Sequence, residues 1–250
     1  MKQTGKAAQS AGERTPAERP THSQVIDFWL ARAAILVIVA LQFVVSDKVI
    51  IGPRWLAPAL ELALLAPLSG ATAFAHLRAR RATRDEHWAS VWQLRKVMRW
   101  LAITLTAVVS LTNTYALVLL VRALASGHAG PAPVLLLDAM NIWITNVIIF
   151  ALWFWNLDRG GPVATGVAGV AKRDQIDFLF SNMLRDAAGK APWSPGFVDY
   201  LYLAFTNATA LSPADTMPLS HRAKLLMMAE AVVSLLTIAI VAARAVNILT

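Results

Sequence analysis

The sequence predicts an all-α integral membrane protein with about five transmembrane helices, one short re-entrant helix and one interfacial helix. Three observations lead there. Of the 250 residues, 57% are hydrophobic and 15% charged, whereas a soluble domain carries about 45–50% and about 25%. Mean hydropathy is +0.53, and several apolar runs are long enough to cross a hydrocarbon core roughly 30 Å thick. The 23 Lys and Arg residues gather in particular segments, which membrane topology requires, so the net charge of +8 calls for no nucleic-acid partner. The absence of cysteine excludes disulfides, thiolate metal sites and cysteine nucleophiles.

Residues 1–24 are rich in Ala, Gly, Thr and Pro with alternating charge and no apolar periodicity, the composition of a disordered tail, expected on the cytoplasmic side. The first apolar run, Phe28 to Val45, starts too deep for a signal peptide and lacks a small-residue cleavage site, so it reads as a span. Arg32 near its start can reach the headgroups. A turn with Gly52 and Pro53 leads into a second run from Trp55 to Leu77, and seven basic residues follow within 78–99. A third run covers Trp100 to about Leu124. After a short polar turn, a fourth extends from Val134 to Leu157, completing a four-helix region over 25–157.

Residues 158–196 do not span. Within them Ile176, Leu179, Phe180, Met183 and Leu184 fall at i, i+3, i+4, i+7 and i+8, one apolar stripe that predicts a helix lying on the bilayer surface. Phe197 to Leu211 is a fifteen-residue run. At 1.5 Å per residue it supplies about 22 Å, too little to cross. The last full-length run is Ala223 to Leu249. With an internal amino terminus the cytoplasmic segments hold sixteen Lys and Arg and the outer ones three, Lys48, Arg54 and Arg122. The positive-inside rule therefore places the tail and 78–99 in the cytoplasm and the carboxyl terminus outside.

Segment 197–250 carries the most specific pattern. It reads Tyr202-Leu-Ala-Phe-Thr-Asn-Ala-Thr-Ala-Leu-Ser-Pro-Ala-Asp-Thr-Met-Pro-Leu-Ser, then His-Arg-Ala-Lys and the Ala229-Glu230-Ala231 triplet. This resembles the pore module of the two-helix potassium channel family, a pore helix, a filter loop and an inner helix. Without a gap, Asp215, Pro218, Ser220, Ala223, Glu230 and the Ala243-Arg244 pair fall on matching positions. The resemblance covers about a fifth of the chain and implies a pore-type re-entrant hairpin, a channel-like function and a homo-oligomer. The stretch Phe197 to Phe205 is also similar to one in uncharacterised bacterial membrane protein families, which implies a multi-pass protein of the cell membrane, the bacterial inner membrane.

The filter positions themselves depart from the family. Thr209 precedes Ala210, Leu211, Ser212, Pro213 and Ala214, and Asp215 follows. A potassium filter aligns backbone carbonyls, using glycines whose backbone angles side chains forbid. Ser212 and Ala214 stand at both glycine positions, and Pro213 fixes its own φ while restricting Ser212. The resemblance therefore implies a degenerate filter without potassium selectivity, or no conduction. Orientation departs too, since the family's loop faces outward and the charge count sets this one toward the cytoplasm.

Polar groups at membrane depth are the remaining site candidates. Asp138, Asn141, Thr145 and Asn146 lie at i, i+3, i+7 and i+8, a polar face that either lines water or ions or bonds neighbouring helices. Glu61 sits in the second run. Glu230 lies about two turns into the last one, where Arg222 or Asn207 would be its partner within the chain. Thr112, Asn113 and Thr114 read as packing contacts. The five histidines show no metal-ligand spacing, and no Walker, dinucleotide or nucleophile-elbow motif occurs. The expectation is a channel-like membrane protein without cofactor, metal or enzymatic activity, or a non-conducting scaffold or regulatory subunit with the same architecture. In the scaffold reading the basic 78–99 segment is expected to engage anionic lipid or an acidic partner.

Overall fold

The computed structural model describes residues 22–43, 58–59, 62–63, 86–126, 131–158, 176–185, 193–209 and 216–249. Their elements in chain order are α1 (His22–Gln42), α2 (Glu86–Ala125), α3 (Ala132–Leu157), β1 (Phe178–Phe180), α4 (Ser181–Arg185), α5 (Phe197–Ala208), β2 (Thr216–Pro218) and α6 (His221–Leu249). Three helical stretches are long and apolar enough to cross a membrane: Arg99–Ala125, Ala132–Leu157 and His221–Ala243. The protein is thus a largely helical membrane protein. The apolar part of α1, Trp29–Gln42, is shorter. The second run, Trp55 to Leu77, lies outside the described residues apart from four helical positions.

Local chemistry sets the helix ends. Pro133 near the start of α3 lacks an N–H where none would be bonded. Gly196 precedes α5, and its N–H donates to the Asp199 carboxylate at 2.7 Å, which also sets a negative charge in the first turn. Ser220 caps α6, its hydroxyl accepting the Ala223 N–H at 3.1 Å.

The hub is α3, packed against α1, α2, α5 and α6. Trp153 Nε1 donates to Ser110 Oγ at 2.8 Å and Asn113 Nδ2 to the Ile142 carbonyl at 3.3 Å. Residue numbers rise along α3 as they fall along α2, so the two are antiparallel. The outward surfaces of the long helices remain apolar, with Leu111, Leu137, Leu225 and Leu235 exposed. That surface is tolerable where acyl chains cover it.

One expected element is different. The stripe from Ile176 to Leu184 is not a continuous helix: Phe178–Phe180 forms β1, antiparallel to β2, and only Ser181–Arg185 is helical. The cause is tertiary. Phe178 and Phe180 alternate inward and pack edge-on against Phe154, Tyr200 and Trp193, at centroid distances of 5.1, 5.4 and 5.8 Å for the nearest pairs. A period-two placement buries both rings in one aromatic cluster while the backbone pairs with β2. The expected tail, 1–24, is described only from His22, where α1 has already begun.

Candidate functional site

At one end of the bundle, Asp158 terminates α3 and is fully buried. Its Oδ1 accepts the Asp177 N–H at 2.9 Å, and its Oδ2 accepts the Tyr200 hydroxyl at 2.6 Å. The Asp177 carbonyl in turn accepts the Leu219 N–H at 2.8 Å, next to β2. These bonds gather the end of α3, the β ribbon, the first turn of α5 and the start of α6. Arg222 reaches Asp177, not Glu230, and only at 3.8 Å from an exposed position, a contact of little energetic weight.

Away from this end, α5 runs inward and stops at Thr209, whose hydroxyl donates to the Phe205 and Thr206 carbonyls at 2.9 and 3.2 Å. One residue short of the helix end, Asn207 uses its amide nitrogen twice. Nδ2 donates to Glu230 Oε2 at 2.7 Å and to the Met227 carbonyl at 2.9 Å. Glu230 is fully buried, and its Oε1 has no hydrogen-bond partner among the described residues. Of the two partners expected for Glu230, the structure supplies Asn207.

Glu230, Ser234 and Thr237 form a buried stripe on α6. Asn146 Nδ2 donates to Ser234 Oγ at 2.9 Å and joins this stripe to α3. The four polar residues of α3 are all buried, yet they do not address a single cavity. Asn141 turns to α1, donating to the Leu41 carbonyl at 2.6 Å, while Asn146 turns to α6. At about 100° per residue their directions differ by about 140°, so the expected continuous face is divided between two neighbours. Thr145 leans on Asn141 Oδ1 at 3.5 Å. Asn113 bonds α3, as expected of a packing contact. Ala210, Leu211, Ser212, Pro213, Ala214, Asp215 and Glu61 lie outside the described residues.

Reasoning from the sequence missed Asp158, Asp177 and Tyr200. The one signal that could have found them is an aspartate closing an apolar run, with a tyrosine in the first turn of the later short run. Bonding of the Asn146 and Asn141 kind holds helices together. Glu230 is a different case, because half of its carboxyl is unpaired. Comparison with known protein families, curated proteins and solved structures finds no match to this chain.

Proposed function

We propose that the protein is a channel-like membrane protein built on a re-entrant hairpin, without selectivity for potassium. The observation that carries this reading is the pairing of β1 with β2 around α5. The helix has 12 residues, about 18 Å of rise, too short to cross. Because the strands before and after it are hydrogen-bonded, the segment enters and returns at one level. Ser212-Pro213-Ala214 lacks the glycine freedom for a carbonyl ladder, so ions would meet side chains such as Thr209 and Asp215. Asp215 would favour cations over anions without separating sodium from potassium. A homo-oligomer and contact of 78–99 with anionic lipid belong to the same proposal.

A second reading, a non-conducting scaffold or regulatory subunit, is favoured by the outward face of α6. Leu225, Met228, Val232 and Leu235 are exposed there, while the polar stripe faces inward. Purified protein in liposomes separates the two. Cation flux with similar sodium and potassium rates, losing its cation preference in Asp215→Asn, supports the channel. Strong potassium preference overturns the degenerate filter, and absence of flux selects the scaffold.

A further inference from the structure

From the unbroken helix that carries α2 out of the membrane, we propose that Arg95, Lys96, Arg99 and Trp100 form a docking patch for the headgroup of an anionic phospholipid. The basic segment 78–99 is helical from Glu86 onward and continuous with the span that begins at Arg99. Helix register therefore fixes what composition leaves loose. Arg95 and Arg99 stand one turn apart, Lys96 and Trp100 do the same, and the two columns are neighbours, about 100° apart around the axis. Three cations and one indole thus share one side of the helix within about 8 Å of rise. Arg99 and Trp100 are both exposed, so this side is open where the helix leaves the bundle.

Two tryptophans set the height of the patch. Asn113 bonds the Ile142 carbonyl and Asn141 bonds the Leu41 carbonyl, so α2 and α1 are pinned at one level of α3. Toward the Asp158 end, Trp100 precedes Asn113 by about 20 Å of rise and Trp29 precedes Leu41 by about 18 Å. α1 runs in from that end, because it also packs on α5, whose Tyr200 bonds Asp158. Trp29 is 63% and Trp100 62% exposed. Exposed tryptophans at one height on two helices mark the edge of the hydrocarbon core. The Arg32 guanidinium lies 5.5 Å from the Trp29 ring centroid, which brings a further cation to this height.

The headgroup layer is about 5–7 Å deep on each side of a bilayer. Along α2, Arg99, Lys96 and Arg95 stand about 2, 6 and 8 Å outside Trp100, at the depth of the phosphates. Glu86 stands about 21 Å outside, and Arg84, two residues earlier, comes no closer than about 14 Å. That exceeds the roughly 8 Å over which charge acts at physiological salt. Three clustered cations favour a phosphate of net negative charge and repel the ammonium of a zwitterionic headgroup. On the same side, three turns into the bilayer, Leu111 is 71% exposed and offers acyl chains an apolar track, which a soluble acidic partner would not use. The patch rests on the lipid contact proposed above and is independent of conduction.

The test is native mass spectrometry of the purified full-length protein in detergent, titrated with phosphatidylglycerol or with phosphatidylcholine of the same acyl chains. The wild type is expected to bind phosphatidylglycerol saturably and about tenfold or more tightly than phosphatidylcholine. Arg95→Gln combined with Arg99→Gln should weaken phosphatidylglycerol about tenfold or more, roughly fivefold for each cation, and leave phosphatidylcholine unchanged. Arg84→Gln should change either by less than about twofold. The patch is overturned by equal binding of the two lipids to the wild type, by full preference in the double variant, or by a loss in Arg84→Gln as large as in the double variant. Saturable binding of a poly-glutamate peptide that displaces no lipid and is lost in the double variant also overturns it, in favour of an acidic protein. Ion flux in liposomes reads conduction separately, so either reading can fail alone.

Discussion

A buried carboxylate is stable only when its oxygens are bonded, and Asp158 meets that condition through a tyrosine hydroxyl and a backbone amide. Removing one partner leaves a buried acceptor unsatisfied, at a cost of about 1–3 kcal/mol. Tyr200→Phe keeps the ring in its aromatic cluster and removes only this donor, so it is expected to destabilise by about 2 kcal/mol. Asp158→Asn added to Tyr200→Phe should cost less than the two single changes summed, because they share one bond. Denaturation midpoints in detergent measure both effects. Arg222→Ala is the control at the same end of the bundle. Its 3.8 Å contact from an exposed side chain predicts a change within about 0.5 kcal/mol, and a loss matching that of Tyr200→Phe would mean that the Asp177–Arg222 contact holds this end as strongly as the Asp158–Tyr200 bond.

Among the elements, the β ribbon is the one that local periodicity misassigns. Ile176, Leu179, Phe180, Met183 and Leu184 satisfy a helical stripe by spacing, but a helix would forgo the backbone partner that β2 provides and could not seat Phe178 and Phe180 together. The register places Leu179 opposite Met217, where Cα separations of opposed antiparallel residues, about 4.5–5.5 Å, fit a disulfide. The native chain contains no cysteine, so a pair introduced at these two positions reports without background. Leu179→Cys with Met217→Cys is expected to oxidise to an intramolecular disulfide, seen as a mobility shift under non-reducing conditions. Leu179→Cys with Leu219→Cys, two residues out of register, should oxidise much more slowly. Equal rates would mean that the ribbon slides or is absent in the membrane.

For the whole molecule, the helix directions and the charge distribution make one joint prediction. The antiparallel pair α2 and α3 is joined by a short connection after Ala125. The start of α2 therefore lies at the end where Asp158 and the ribbon sit. That end carries the basic segment 78–99, whose residues from Glu86 on form the start of α2, and the positive-inside rule assigns this segment to the cytoplasm. Cysteine introduced at Ala79 should resist an impermeant thiol reagent on intact cells, while one at Ser126, exposed at the far end of α2, should react. Labelling at Ala79 alone would reverse the molecule and bring its hairpin to the outer side.

What the sequence determined by itself is what depends on consecutive residues. Apolar runs long enough for a bilayer predict five spans, of which three stand among the described residues as helices long and apolar enough to cross, and a run too short to cross, ending near a Pro-containing loop, predicts α5, because hydropathy and bilayer thickness act on contiguous chain. Polar positions at depth were legible for the same reason, and Asp138, Asn141, Thr145 and Glu230 are all buried. Their partners were not. Tyr200 lies 42 residues from Asp158, Asn207 lies 23 from Glu230 and Ser234 lies 88 from Asn146. Which hydroxyl or amide meets which carboxyl depends on how α3, α5 and α6 cross. Only the tertiary structure decided that Asn141 and Asn146 face different neighbours, that Phe178–Phe180 extends instead of coiling, and that one oxygen of Glu230 is left unpaired, since each is set by side chains packed together from distant parts of the chain.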